Sequence, residues 1–263
     1  MRSKTSTVAL RMLSSVLCVF VTLPVSAGQN TDSLRFAKES QHFVFYSSPG
    51  DLEVLDSLAI VLENSYARIT GRLGTQMEKK VDVRVYPDLR SFHAAINYPD
   101  APDWVVGSSI DDELLVVSPL NPGSIHTYKS LMQVVVHEFA HIVVYAARGE
   151  KGSATLPRWL SEGYAQYEAG QINDVIRRSV KNGLTGKTPP TWAQLNAASP
   201  MEFGYMNGYA LSVTIVEFLT VSYGIDKLVL LIKEPENIEN IYGVSTTELE
   251  KQWMQYLINE QTE

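Results

Sequence analysis

The chain has 263 residues, of which 45% are hydrophobic and 19% charged, with a formal net charge of −7. That length carries a sizeable core in one domain or two close lobes, and the composition excludes a low-complexity or coiled-coil chain. An acidic balance without a basic run argues against a nucleic-acid partner.

Arg2, Lys4 and Arg11 come before an apolar run from Met12 to Leu23, which Pro24-Val25-Ser26-Ala27 follows. A basic head, a short apolar stretch and small residues ahead of a cut predict a secretory leader over residues 1–27, cleaved after Ala27. The run is shorter than the roughly 20 residues a transmembrane helix needs; retention as an uncleaved anchor is the alternative. Cleavage removes three basic residues and no acidic one, so the mature chain is more acidic than the whole. The one cysteine, Cys18, falls in the leader, and Ser15-Val16-Leu17 ahead of it does not form the small-residue box of a lipoprotein. The mature chain from Gly28 therefore has no disulfide and no cysteine nucleophile. It is expected to be exported, periplasmic or secreted, without stable membrane insertion.

His42 to Ser47 is rich in aromatic and β-branched residues and predicts a strand that ends before Pro49-Gly50. Asp51 can cap the next element, where Leu52, Leu55, Leu58, Ala59, Leu62, Tyr66 and Ile69 recur at helical spacing as far as Gly71 and Gly74. Val81, Val83 and Val85 alternate with polar partners in a half-buried strand, and a short helix is expected from Leu89 to Ile96. Two strands near Trp104–Ile110 and Glu113–Ser118, joined by Asp111-Asp112, predict a hairpin. After Asn121-Pro122-Gly123 the pattern becomes helical. Tyr128 to Ala147 reads as one long, largely buried helix, and Pro157 suits the first turn of another that carries Trp159 to Glu168. The stretch with Gly183, Gly186 and Pro189-Pro190 is expected to be an exposed loop. Helices then fit Met206–Tyr223, Asp226–Ile232 and Thr246–Ile258, the last with Ser245 as its cap. The order predicts an α+β fold, with a sheet-containing part over 28–123 and a helical part over 124–263.

His137-Glu138-Phe139-Ala140-His141 lies inside the longest of these helices. Residues four apart on a helix differ by about 40° in direction and about 6 Å along the axis, so both imidazoles can reach one metal ion. Glu138, one step round, is near enough to take a proton from a metal-bound water, and a carboxylate in so apolar a helix is otherwise costly. Imidazole and carboxylate ligands with one open position favour a single zinc ion. A catalytic zinc site needs a third protein ligand. His42, His93 and His126 all lie upstream, form no second ligand pattern and read as surface or packing residues. Downstream, Pro157-Arg158-Trp159-Leu160-Ser161-Glu162-Gly163-Tyr164-Ala165 starts a helix and sets one carboxylate among large apolar residues, with Gly163 and Ala165 small enough for close helix approach. Glu162 is thus the candidate third ligand; its other use is a surface pair with Arg158, four residues earlier.

HEFAH followed by Trp159-Leu160-Ser161-Glu162-Gly163-Tyr164-Ala165, with Glu162 21 residues after His141, resembles the gluzincin metallopeptidases. It is similar above all to their peptidase MA-like domains and to the catalytic core of the M1 aminopeptidases. The resemblance implies a zincin (thermolysin-like) fold with a small N-terminal mixed sheet and a helical C-terminal half. It also implies His137, His141 and Glu162 as zinc ligands and Glu138 as the base. Gly204-Tyr205-Met206-Asn207-Gly208-Tyr209 is similar to the region where family members place an oxyanion-stabilising tyrosine, which implies Tyr205, or alternatively Tyr209. The M1 segment that grips a substrate's free amine, Gly-x-Met-Glu-Asn, has no counterpart between Gly28 and His137.

The expected activity is therefore zinc-dependent hydrolysis of a peptide or protein substrate, with a hairpin edge near Trp104–Ser118 that could bind an extended peptide by strand addition. The competing readings are a secreted zinc-binding or assembly module without catalysis, and a zinc hydrolase of a non-peptide bond. No Gly-x-Ser-x-Gly elbow supports a serine hydrolase.

Overall fold

The computed structural model describes residues 34–259, apart from residue 111, residues 153–154 and residues 185–187. The expected leader and Cys18 lie outside the described residues. Within them, β1 Arg35–Glu39, β2 Phe43–Ser47, β3 Val81–Tyr86, β4 Gly107–Ile110 and β5 Glu113–Val117 form a sheet in the order β1-β2-β3-β5-β4. β2, β3 and β5 are parallel, whereas β1 and β4 run antiparallel to their neighbours at the two edges. The hairpin between β4 and β5 forms as the pattern predicts, with Ile110 opposite Glu113. Asp112 takes a φ of 64°, the left-handed conformation that a two-residue hairpin turn requires and aspartate tolerates.

The alternation read in β2 and β3 is an alternation of burial: Phe43, Phe45, Val83 and Val85 are fully buried, while Val44, Tyr46, Asp82 and Arg84 are half-buried. β5 is buried from Leu114 onward, as a strand covered on both faces must be. β1 has no counterpart among the predicted elements. Its residues are mostly exposed, so backbone pairing with β2, rather than an apolar face, makes it a strand.

The helix α1 Leu55–Leu73 follows a 3-10 turn over Pro49–Val54, and Gly74 closes it at φ 64°, where a residue without Cβ carries no steric penalty. The expected capping role of Asp51 is not what forms. Asp51 lies inside the 3-10 turn and accepts the Ser48 hydroxyl, and α1 starts without a side-chain cap. The short α2, Leu89–Ala95, is capped by Asp88, whose carboxylate accepts the Ser91 amide at 2.8 Å.

From residue 128 the described elements are all helical. The long helix α3, Tyr128–Arg148, opens on a reciprocal cap between Thr127 and Ser130. It packs against β4 and β5, α1 and α4 Arg158–Glu168, which explains its near-continuous burial from Val134 to Val144. Its far end is anchored by Arg148, which donates to the Gly152 carbonyl at 2.5 Å, to Thr155 Oγ1 at 2.6 Å and to the Ile232 carbonyl.

The helix α4 ends on Glu168, buried and paired with Arg68 and Arg72 of α1. Along its length it presses on α8 Gly208–Tyr223. A Cβ at Gly163 would strike the Ser212 carbonyl, so the close helix approach expected at Gly163 is real.

Of the stretch expected as an exposed loop, Gly183 is helical instead, Pro189-Pro190 lies in irregular chain as expected, and Gly186 is outside the described residues. α5 spans Asp174–Leu184; only Val180 of it is buried, and Arg177 ties it to Glu217 of α8 through Nε at 3.1 Å. α6 Trp192–Ala197 and α7 Pro200–Tyr205 were not predicted either. Each opens on a reciprocal cap, Thr191 with Gln194 and Ser199 with Glu202. The chain closes with α9 Ile225–Lys233, α10 Ile238–Tyr242 and α11 Thr246–Asn259. Ser245 Oγ accepts the Glu248 amide at 3.2 Å, as expected of its cap.

Candidate metal centre

Helical spacing puts His137 and His141 on one face of α3, and the antiparallel passage of α4 brings Glu162 opposite them. Their ligand atoms all lie within 4.8 Å of one another. The two Nε2 atoms are 3.1 Å apart, and Glu162 Oε2 is 3.4 Å from that of His137 and 3.8 Å from that of His141. Metal–ligand bonds of about 2.0–2.1 Å in a tetrahedron set ligands about 3.4 Å apart, so these three donors already stand at coordination spacing. All three residues are buried.

Both imidazoles are oriented from behind. His137 Nδ1 lies 3.1 Å from Gln171 Oε1; an amide oxygen only accepts, so Nδ1 carries the proton and the Nε2 lone pair faces the cluster. His141 Nδ1 lies 3.2 Å from Ser161 Oγ, which allows the same tautomer. Gln133, one turn before His137, donates to the Gly170 carbonyl at 2.7 Å and so holds the turn that presents Gln171.

The electrostatics favour a cation. Burial pulls the pKa of His137 down, but its hydrogen bond to Glu162 and the charges of Glu138 and Glu162 outweigh this, and the net shift is upward. Burial, reinforced by the neighbouring His137, pushes His141 well below the ordinary histidine value. Among the described residues Glu162 meets no lysine or arginine, and the alternative pair with Arg158 does not form. Its buried Oε2 stands 3.4 Å from His137 Nε2 and 3.8 Å from His141 Nε2, and a buried carboxylate with no lysine or arginine beside it is costly unless a cation sits there.

Glu138 is fully buried and lies outside the triangle of donors, under the edge strand. A Cβ at Gly107 of β4 would come 2.8 Å from Glu138 Oε1 and closer still to Val134. The strand backbone therefore rests on the carboxylate.

The tyrosines are placed differently. Tyr205, at the end of α7, is 74% exposed and has no hydrogen-bond or ring partner among the described residues. Tyr209 is buried at the start of α8 and meets Phe203 edge-to-face at 4.9 Å. The histidines read as packing residues do pack: His42 stacks on Tyr66 at 3.6 Å, and His93 and His126 bond to backbone carbonyls.

Gln171, Ser161 and Gly107 were not among the predicted site residues. A lone glycine in a strand pattern is a known sign of close backbone approach, so Gly107 had a signal; Gln171, in the turn after α4, had none.

No curated protein matches the sequence. The family model of the peptidase MA superfamily matches residues 62–259, a span that contains both helices of the His-His-Glu cluster, the edge strand above them and the α8 region. With the His-His-Glu cluster standing where that span's two helices meet, the chain belongs to the peptidase MA superfamily as a gluzincin-like member.

Proposed function

We propose that the protein is a zinc-dependent peptidase of the thermolysin-like zincin type, in which His137, His141 and Glu162 hold one zinc ion and Glu138 is the general base. The observation that carries this reading is the buried triangle of donors with 3.1–3.8 Å edges, beside a second buried glutamate, Glu138, that is not one of its corners. A purely structural site closes its coordination and has no use for a base next to it.

Zinc, when bound, supplies a Lewis acid that polarises the scissile carbonyl and acidifies water. Gln171 and Ser161 keep the imidazoles in the ligating tautomer. Glu138 takes the proton from the attacking water and passes it to the leaving amine. β4 is an edge strand whose outer backbone can pair with an extended peptide. Tyr209 and Tyr205 remain the candidates for a phenol that stabilises the oxyanion; Tyr205, exposed and unpartnered, would have to be ordered by substrate. Export by the leader over residues 1–27 belongs to the same reading, and N-terminal sequencing of the mature protein should begin at Gly28.

A quenched-fluorescence peptide library is the direct test. Hydrolysis that a chelator abolishes and added zinc restores is expected. Zinc binding without cleavage of any peptide would replace this reading with a binding module or a hydrolase of another bond. The orienting role of Gln171 has its own expected result: Gln171→Ala should weaken zinc by about 10–100-fold in competition with a chromophoric chelator, with little change in fold.

A further inference from the structure

We propose that His93 and His126 are positioning residues that clamp the root of β4 and thereby set where the Glu138 carboxylate stands. This rests on the reading of Glu138 as the base.

β4 has only four residues and, among the described residues, a neighbour on one side alone, so pairing with β5 by itself holds it weakly. What fixes its root comes from two other elements. His93, on α2, has Nε2 2.9 Å from the Val105 carbonyl oxygen. His126, in the connection between β5 and α3, has Nε2 3.1 Å from the carbonyl of the preceding residue, Trp104. Both imidazoles are more than nine-tenths buried. A carbonyl oxygen only accepts, so each Nε2 carries a proton and donates it. Burial holds the pKa of His126 below the ordinary histidine value, against the raising effect of its bond to Trp104. His126 is therefore a neutral donor with a single task.

The next rung follows directly, with the Val106 carbonyl accepting the Val117 amide at 2.9 Å. Then comes Gly107, whose backbone rests on Val134 and Glu138 without room for a methyl group. The path from imidazole to base is short: histidine pair, carbonyls of Trp104 and Val105, Gly107, Glu138 carboxylate. A base must be held to about 0.5 Å, and misplacement by about 1 Å can cost 10²-fold in rate. A loosened β4 root is a displacement of that size applied to Glu138.

The test compares His126→Leu, which keeps the bulk and loses the donor, with His126→Gln, whose amide nitrogen occupies the place of Nε2. For each, kcat, KM, zinc content and hydrogen exchange of the backbone over 104–110 are measured on the zinc-loaded protein. His126→Leu should lower kcat at least tenfold with one zinc retained and with faster exchange over 104–110. His126→Gln should recover most of the loss. Wild-type kcat in His126→Leu, or a loss that His126→Gln does not recover, would overturn the proposal.

If His126→Leu does not fold, Gly107→Ala carries the test, because it leaves both imidazole bonds in place and displaces the strand from Glu138. Unchanged kcat in that variant would equally overturn the proposal. Exchange separates the two levels of the claim. A wild-type protein that binds zinc and cleaves nothing sinks the base reading, and the positioning role with it. Unchanged exchange in His126→Leu sinks the clamp whatever the catalysis.

Discussion

Glu138→Gln is expected to remove at least about 10³-fold of turnover while the protein keeps one zinc ion. General base catalysis is worth about 10²–10⁴-fold, and here the same carboxylate would also return the proton to the leaving amine. The amide matches the carboxylate in shape, so the close approach of Gly107 to it survives and no cavity opens. What it loses is the capacity to accept a proton. Single-turnover kinetics on the best peptide, with metal analysis of the same sample, separates this from loss of the ion. Turnover within tenfold of wild type would show that another group takes the proton.

Glu162→Ala should act on the metal first. The variant leaves two imidazoles where three donors stood, and zinc affinity should fall by more than the 10–100-fold typical of a lost supporting contact. A second effect follows from charge. In the metal-free protein, removing a buried carboxylate that no lysine or arginine balances is expected to be neutral or stabilising. Zinc at 1,000 times its dissociation constant contributes about 4 kcal/mol to the native state, or roughly 10 °C in Tm for a chain of this size. Chelation should therefore lower the Tm of the wild type by about that amount and leave Glu162→Ala unmoved. Calorimetry with and without chelator reads both. An equal drop in both proteins would mean that Glu162 is not a ligand.

The core of the site was legible because it is local. His137 and His141 are one helical turn apart, so their convergence follows from the geometry of α3 alone; Glu162, on the next helix, was reached through a carboxylate among apolar residues together with the family resemblance. Gln171 reaches His137 only because the turn after α4 folds back along α3 and is held there by Gln133. Nothing in its neighbours in sequence records that. Gly107 meets Glu138 because β4 falls at the sheet edge beside α3, a consequence of strand order that the hairpin pattern leaves open.

The fold divides in the same way. β2, β3 and the β4–β5 hairpin carry their own burial pattern, whereas β1 is polar and is a strand only through its neighbour. α5 was hidden by Gly183 and a polar surface, and it is held by the long-range pair of Arg177 with Glu217. α6 and α7 were legible but not predicted: Thr191 with Gln194 and Ser199 with Glu202 are both capping boxes. Pro200 after Ser199 adds the first-turn proline signal.

Zinc content bears most directly on the whole account. The purified protein and His141→Ala are each stripped, equilibrated with zinc, passed through a desalting column and measured by mass spectrometry. One zinc per chain in the wild type and none in His141→Ala is the expected result. A wild type that leaves the column without zinc, or a variant that retains as much as the wild type, would contradict the assignment of His137, His141 and Glu162 as the metal centre.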